Sequence, residues 1–352
     1  MRRRALIVIL AASTCVLGPR SSGQIQSADD QFDASVARPA FTQKHPSILF
    51  DEAHHNFHTA AGLYKPFVTL ITNDGCRVTS NHKPFTKDLL ESHHILVIAN
   101  ASGGLKADGG DPANPAFTAV ECQAVEEWVK QGGALLLITD LYPYGAAAQN
   151  LAKRFRVDMS QALTIDPRNS MARAPANLIF ARANGLLGDH PITSGRGSSE
   201  QVNSVVTYSG QSLMGPPGSA GFLLLGDTAM DRSPVDNSLI SAAGRAQGVA
   251  FIHGKGRVVV LGEAAVLTAQ VDQEGRPFGM GASGTDNRQL ALNIVHWLSG
   301  LTAVNPRAAS GKKTASRRPV SSSPKAKSKS PNSKQTPPAN PEPEPPGRPR
   351  VD

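Results

Sequence analysis

Cysteine is almost absent from this 352-residue chain, with three in all. Cys15 lies in the first apolar stretch, which leaves Cys76 and Cys122 for the rest of the sequence. So few thiols exclude a disulfide-stapled scaffold and a cysteine-built metal cluster. In an exported chain the remaining pair can form one bridge, but two buried thiols is the simpler expectation. Long apolar runs are missing too. Ala5–Leu17 is too short to span a bilayer comfortably, and no segment beyond Gly23 is long and apolar enough to cross one. The common catalytic signatures are also lacking. There is no G-x-S-x-G or G-x-C-x-G nucleophile elbow and no H-E-x-x-H zinc helix. Asp51-Glu52-Ala53-His54 spells a helicase box, but a motor needs a G-x-x-x-x-G-K-[ST] phosphate loop beside it. Gly254-Lys255 and Gly311-Lys312 are followed by Gly256 and Lys313, so no such loop exists.

The ends account for the charge. The net charge is +8, yet the tail from Asn305 holds 11 Lys and Arg against 3 Asp and Glu, and the first 20 residues hold four Arg and no acid. What lies between is mildly acidic, so its bulk charge implies no basic nucleic-acid surface, and no nucleic-acid partner is expected. Arg2-Arg3-Arg4 followed by Ala5–Leu17 has the form of an export signal over 1–23, with cleavage near Ser21-Ser22-Gly23. A lipid attachment at Cys15 fits poorly, because Thr14 precedes it. The expected location is therefore periplasmic or extracellular. A polar lead-in, 24–45, comes next, then a patterned body, 46–302. The tail, 303–352, is rich in Pro, Ser and Lys and has too little apolar surface to offset chain entropy, so it is expected to be disordered. Its simplest role is a solvated tether. The alternative is loose contact with anionic envelope polymers.

In the body, apolar strands alternate with amphipathic helices. "SILF", "CRVTS", "HILVIAN" and "ALLLITD" are strand runs, and "AGLYKPFVTLI", "FTKDLLESH" and "AAAQNLAKRF" have helical spacing. "FTAVECQAVEEWVKQGG" is the strongest helix, with Thr118 and Glu121 at capping-box spacing and Gly132-Gly133 at its end. This alternation predicts a mostly parallel sheet covered on both faces. Gly254-Lys255-Gly256 predicts a hairpin within it. "VNSVVTYSG", "GFLLLGD" and a last helix, "NRQLALNIVHWLSG", complete the body, and Asp286-Asn287 are expected to cap that helix. Asp158–Gln201 is expected to be loops with short elements.

Ligands of open α/β sheets sit outside the carboxyl ends of the strands. The polar residues that follow the strands are the candidate site: Asp51, Glu52, His54 and Asn56; Asn100; Asp140 and Tyr142; Glu263 and Gln270. Asp51, His54 and Glu263 are the candidates for acid–base catalysis. Asp51 and Asp140 can equally be loop or helix caps. Glu263 needs a buried partner, with Arg288 or a His of the first loop proposed. His54 and His58, four apart, have the spacing of paired metal ligands if the segment is helical. His93-His94 should lie at the opposite edge, and Trp128 and Trp297 in the core. Gly279, Gly281 and Gly284 form a G-x-G-x-x-G, but it follows a Pro-containing loop instead of a strand, so no dinucleotide site is read and no cofactor is expected.

"ILFDEAHHNFHT", "ILVIANASGG", "FTAVECQAVEEWVKQGGALLLITDLYPYG", "GDHPIT", "GKGRVVVLGEAAVLTAQ" and "DNRQLALNIVHWLSG" together resemble a bacterial exported family of unknown function. Its members carry a class I glutamine amidotransferase-like domain, related to GIFT-type and trehalose-utilisation-like proteins. The resemblance spans about residues 45 to 301 of the sequence. It implies a flavodoxin-like three-layer sandwich with a mostly parallel central sheet and a hairpin addition. The larger class places a nucleophilic Cys after a central strand, where this chain has Thr139-Asp140-Leu141-Tyr142. Glutamine hydrolysis is therefore not implied. The expected function is binding of a small polar ligand, a carbohydrate being one candidate. A hydrolase using Asp51, His54 and Glu263, with or without a metal, is the first alternative. An envelope scaffold whose partner is an envelope component is the second.

Overall fold

The computed structural model describes residues 27–104 and 110–302. The expected export signal and basic tail lie outside the described residues.

Five parallel strands form the centre: β1 (Ser47–Asp51), β2 (Arg77–Asn81), β3 (Ile95–Ala99), β4 (Ala134–Ile138) and, much later in the chain, β9 (Gly256–Leu261). Between β4 and β9 come β5 (Asp158–Met159), β6 (Leu213–Met214), β7 (Ala220–Leu224) and β8 (Ala246–His253). The order across the nine-stranded sheet is β2-β1-β3-β4-β9-β8-β6-β5, with β7 also paired to β8. The β2-β1-β3-β4 run is the flavodoxin-like order, which reverses direction between β1 and β3. From β8 outward the pairing is antiparallel. The β8–β9 hairpin turns at Gly254-Lys255, where Gly254 takes φ +63, a conformation that suits glycine at the first position of a tight hairpin.

Alternation of side chains along the strands builds two cores. Ile48, Phe50, Ile95, Val97, Leu136, Ile138, Val259 and Leu261 point to one face. Helices α1 (Lys65–Asn73) and α6 (Asn287–Leu298) cover it with Phe67, Leu70, Leu290, Ile294 and Trp297. Leu49, Leu96, Ile98, Leu135, Leu137, Val258 and Val260 point to the other face. There α2 (Lys87–Glu91), α3 (Ala119–Gln131) and α4 (Tyr144–Arg154) pack with Leu90, Cys122, Val125, Trp128 and Leu151. Both faces of the inner strands are covered, which explains why β1, β3, β4 and β9 are almost continuously apolar and not alternating, while β2 at the edge is polar and largely exposed. Each fully buried Leu or Ile contributes ~2 kcal/mol, and that sum holds the three layers together. Cys76 lies in one core and Cys122 in the other, both as free thiols, so the sheet separates them and no bridge joins them.

The local signals act as expected. Pro66 sits in the first turn of α1, where its missing N–H costs nothing. Thr118 and Glu121 cap α3 reciprocally, and Gly132 ends it. His94 stands at the amino end of β3, bonded to Ser47.

Three small antiparallel sheets surround the centre. Ser204–Val206, read from "VNSVVTYSG", joins Ala174–Ala181 and Ser170–Met171 instead of the central sheet. Leu163–Ile165 pairs with Met230–Arg232, which pairs with Leu239–Ser241. The segment expected to be loops thus holds an eight-residue strand, Ala174–Ala181. Asp286 and Asn287 do not cap α6 through their side chains. Asp286 accepts from the amides of Asn203 and Ser204, while Asn287 bonds both the N–H and the C=O of Val206. They pin the outlying strand to the helix. The lead-in also belongs to the fold: Ser27–Ala28 pairs with Ala269–Val271, and Phe32, Val36 and Phe41 pack on the α1–α6 core. Among the described residues no helix is long and apolar enough to cross a membrane.

Candidate functional site

At the carboxyl ends of the parallel strands the expected polar residues gather in two clusters, joined through the first loop.

The first cluster centres on His54. Its Nδ1 lies 2.9 and 2.8 Å from the two carboxylate oxygens of Asp51, at the end of β1. Its Nε2 lies 2.8 Å from Oε1 of Glu121, in the first turn of α3. All three are buried, and the ring packs against Phe85 and Phe117. Burial alone would lower the pKa of His54. The Asp51 and Glu121 carboxylates outweigh it and hold the pKa above its ordinary value. Burial would raise Glu121, yet hydrogen bonds from Thr118 and His54 bring it down to about 2. The cluster is therefore an imidazolium clamped between two carboxylates. Asn56 and Asn81 donate further bonds to Asp51, at 3.1 and 3.3 Å. Both ring nitrogens are spent, so His54 has no lone pair to offer a reacting proton.

The second cluster lies after β3, β4 and β9. Asn100 exchanges two bonds with Asp140: Nδ2 donates to Oδ2 at 2.7 Å, and Oδ1 accepts from the Asp140 amide at 2.9 Å. Asn100 has φ +47, a left-handed conformation that asparagine tolerates better than most residues. The other Asp140 oxygen accepts from the amide of Ala264 at 2.8 Å. Glu263 is buried and accepts from the amides of Ala265 and Val266 at 2.7 and 2.8 Å. Burial, followed by the charge of Asp140, pushes Glu263 well above its ordinary value. Burial pushes Asp140 up to about 6, against the bonds from Asn100 and Ala264. Tyr64 caps the pair from α1's entry, its hydroxyl donating to the carbonyl of Ala264 at 2.8 Å. The Asp140 residue is half-buried and Glu263 is 2% exposed, and both Asp140 carboxylate oxygens are already engaged, by Asn100 and by Ala264. The two clusters meet where the Phe57 amide donates to the carbonyl of Asn100 at 2.9 Å.

The remaining candidates lie elsewhere. Glu52 turns to the amide of Ala60 and the hydroxyl of Ser80. Gln270 bonds Thr268 in the small sheet that carries Ala269–Val271. Tyr142 stands exposed at the rim. His58 packs against Phe57 and Tyr64, away from the Asp51 and Glu121 partners of His54, because the segment between β1 and α1 is turns and not a helix. Burial lowers His58 to about 4. Arg288 is not the partner of Glu263; it donates to the carbonyls of Asp33 and Ser35. Glu263 uses backbone amides instead. Among the described residues no group of three or more His, Cys, Asp and Glu side chains is arranged to hold a metal.

Sequence reasoning missed Glu121, Asn81, Tyr64 and Gln211. Asn81 follows a strand and obeys the same rule as Asp51. Gln211 donates to the carbonyls of Thr139 and Asp140, fixing the strand end from a distant segment that carries no motif.

No protein-family model matches the chain. No curated protein matches it either. Solved structures do. The mmIFT52 N-terminal domain is 14% identical, with a TM-score of 0.51, over 72% of this chain and 97% of that one. A cytoplasmic protein of Salmonella typhimurium is 12% identical, with a TM-score of 0.43, over 72% and 98% of the two chains. A ThuA-like protein of Bacteroides uniformis is 13% identical, with a TM-score of 0.36, over 74% and 94%. At such identity the likeness to the mmIFT52 domain shows a shared fold alone. The strand order and the two covered faces define the same flavodoxin-like α/β sandwich from within. Asp140 follows β4, and both cysteines of the body are buried in the cores.

Proposed function

We propose that the chain is a non-amidotransferase binding domain that takes a small polar ligand at the carboxyl ends of its central strands. The observation that carries this reading is Asp140. It is a half-buried residue whose carboxyl group is locked by Asn100 and Ala264, near the buried Glu263, at the strand end that the resemblance to the amidotransferase class matches to its nucleophile. Such a pair can accept hydrogen bonds when charged and donate when protonated, which suits a hydroxyl-rich ligand such as a carbohydrate. Clamping of both His54 nitrogens and the placing of Glu263 in the other cluster speak against the acid–base trio of Asp51, His54 and Glu263.

In the same reading the chain is exported, with a signal over 1–23, a lead-in over 24–45, the α/β domain over 46–302 and a basic tether over 303–352. The expected partner is a small polar ligand or an envelope component, and the tail is proposed to contact anionic polymers.

The test is a thermal-shift screen of the full chain against mono- and disaccharides, polyols and amides. A ligand at a hundred times its Kd adds about 2.7 kcal/mol, which is readily seen. The expected result is a shift with one sugar class that Asp140→Asn removes. A flat response across the panel, or a shift untouched by Asp140→Asn, overturns the reading.

A further inference from the structure

Aromatic residues make up only 5% of this chain, and most of them are buried. Among the described residues only two are exposed, Phe57 at 56% and Tyr142 at 48%. A lone apolar residue on a surface needs no explanation. These two are not scattered. Both lie at the carboxyl ends of the central strands, Phe57 in the loop after β1 and Tyr142 in the loop after β4.

Phe57 is fixed where the sheet reverses direction. Its amide donates to the carbonyl of Asn100 at 2.9 Å, which fastens the loop after β1 to the residue that follows β3. The gap between those two strands is where open α/β sheets take their ligands. The centroid of the Phe57 ring lies 6.0 Å from that of Tyr144, the first residue of α4, with 43° between the planes. On its other side is the His58 ring, edge-on at 5.0 Å. Tyr144 in turn feels Asp140. Burial, followed by the Asp140 charge, holds its hydroxyl above the ordinary value, so it keeps its proton. Asn100 closes the circuit through its two bonds with Asp140. Phe57, Asn100, Asp140 and Tyr144 therefore form one continuous rim. Among the described residues no group is hydrogen-bonded to the half-buried Tyr144 hydroxyl.

Two chemistries thus stand side by side. One is an exposed aromatic face held between neighbouring rings, and the other is a phenol O–H that can both donate and accept. The carboxyl groups of Asp140 and Glu263 behind them disfavour a phosphate or a carboxylate, since like charges repel. A plain aromatic ligand would use the ring and leave the hydroxyl idle. A linear polyol would use the hydroxyl and leave the ring wet. A sugar ring uses both, because its C–H groups make an apolar face and its hydroxyls radiate from the edge. Building on the polar-ligand function proposed above, we infer that the ligand is a pyranose whose C–H face stacks on Phe57 and one of whose hydroxyls bonds the hydroxyl of Tyr144, with Tyr142 at the outer edge.

The experiment is calorimetry and proton NMR on the full chain with the methyl pyranosides of glucose, galactose and mannose. Glucitol and mannitol, which carry hydroxyls without a ring, and phenol are the comparisons. At least one pyranoside should bind, and its ring C–H resonances should move upfield in the ring current of Phe57. The polyols and phenol should bind at least tenfold more weakly. Phe57→Ala changes an exposed side chain, so it should keep the unliganded melting temperature while losing the upfield shift and at least tenfold in affinity. Phe57→Tyr should restore both. Tyr144→Phe should lose at least threefold in affinity and keep the upfield shift. Full affinity in Phe57→Ala, or equal binding of glucitol, would overturn the stacked pyranose; the polar-ligand function would survive that result if Asp140→Asn still removed binding. Absence of binding by every pyranoside would overturn the stacked pyranose, and only a flat response to the wider panel above would overturn the function as well.

Discussion

Nε2 of His54 lies 2.8 Å from the Glu121 carboxylate, although 67 positions separate them in sequence. Glu121 thereby serves two structures at once. Its Oε2 caps α3 through the amide and hydroxyl of Thr118, and its Oε1 receives His54 and the amide of Phe85. Asp51 grips the other side of the ring. One imidazolium thus ties the end of β1, the first loop and the start of α3 together.

Removing the ring should be costly. His54→Ala leaves two buried carboxylates facing a cavity. Breaking one partner out of such a cluster costs about 3–5 kcal/mol. Urea unfolding should show a loss of that size with a normal m-value. A loss under about 1 kcal/mol would mean that the cluster is solvated and does not act as a clamp.

The same cluster has a definite pH window. Glu121 is held at about 2 in the folded chain against an ordinary 4.5, so its contribution is present above 4.5 and fades as pH falls toward 2. His54 is raised above 6.5, so its contribution is complete below 6.5 and is lost as pH rises through the raised value. The clamp should be strongest between the two ordinary values. Melting temperatures of the wild type and of Glu121→Gln should differ most between about pH 4.5 and 6.5 and converge toward pH 2. A difference that is constant with pH would refute the charged clamp.

Much of the fold was legible because the local signals agree with one another. Pro66 at the first turn of α1, the Thr118–Glu121 box and the Gly254 turn each specify an end, and the apolar runs specify strands buried on both faces. Half of the site was legible for the same reason, since Asp51, Asn100, Asp140 and Glu263 all follow a strand. What stayed hidden depends on strand order. Nothing in sequence says that β9 returns beside β4, and only that return brings Glu263 to Asp140. Glu121 was fully explained by its cap, so its second partner left no separate trace. Asn287 reads as a helix cap and in fact clasps Val206, because a buried strand edge needs its N–H and C=O satisfied as much as a helix end does.

The Asp140–Glu263 pair should respond to pH in one direction. Asp140 is raised to about 6 from 3.8, and Glu263 is raised well above 4.5. The folded chain then holds protons that the unfolded chain has released. Stability from this pair is complete below about 4 and is lost as pH rises through 6. Glu263→Gln removes the carboxyl group that burial and the Asp140 charge keep protonated, while Asp140, raised by its own burial, should still titrate near 6. The slope of melting temperature between pH 5 and 7 should flatten, even if the variant loses about 1 kcal/mol overall from an amide left without its acceptor. An unchanged slope would show that Glu263 holds no raised proton in the folded chain.

Cys76 and Cys122 should be inert in the native chain. Burial pushes their thiols up to about 12 and about 11, and the sheet lies between them. Reductant should leave the melting temperature unchanged. A thiol reagent at pH 8 should label both residues only at the rate of unfolding. A melting temperature that falls with reductant would require a bridge that this fold does not make.

The glycine-rich stretch before α6 should show two different sensitivities. Gly279 has φ +71, and a Cβ there would come 2.1 Å from the carbonyl oxygen of Thr268. That contact lies against backbone, which cannot swing away, so Gly279→Ala must displace the paired strand Ala269–Val271. Gly284 has φ +74, but a Cβ there would meet nothing within 4 Å. Gly284→Ala then carries only the left-handed penalty, about 1–2 kcal/mol. Gly279→Ala should cost clearly more and should also loosen protection of the amides of 269–271 in hydrogen exchange. Equal costs at the two positions would mean that the stretch is a flexible connection throughout. A gap between them means that Gly279 is a close-packing residue, and that the G-x-G-x-x-G pattern arises from strand pairing and not from phosphate binding.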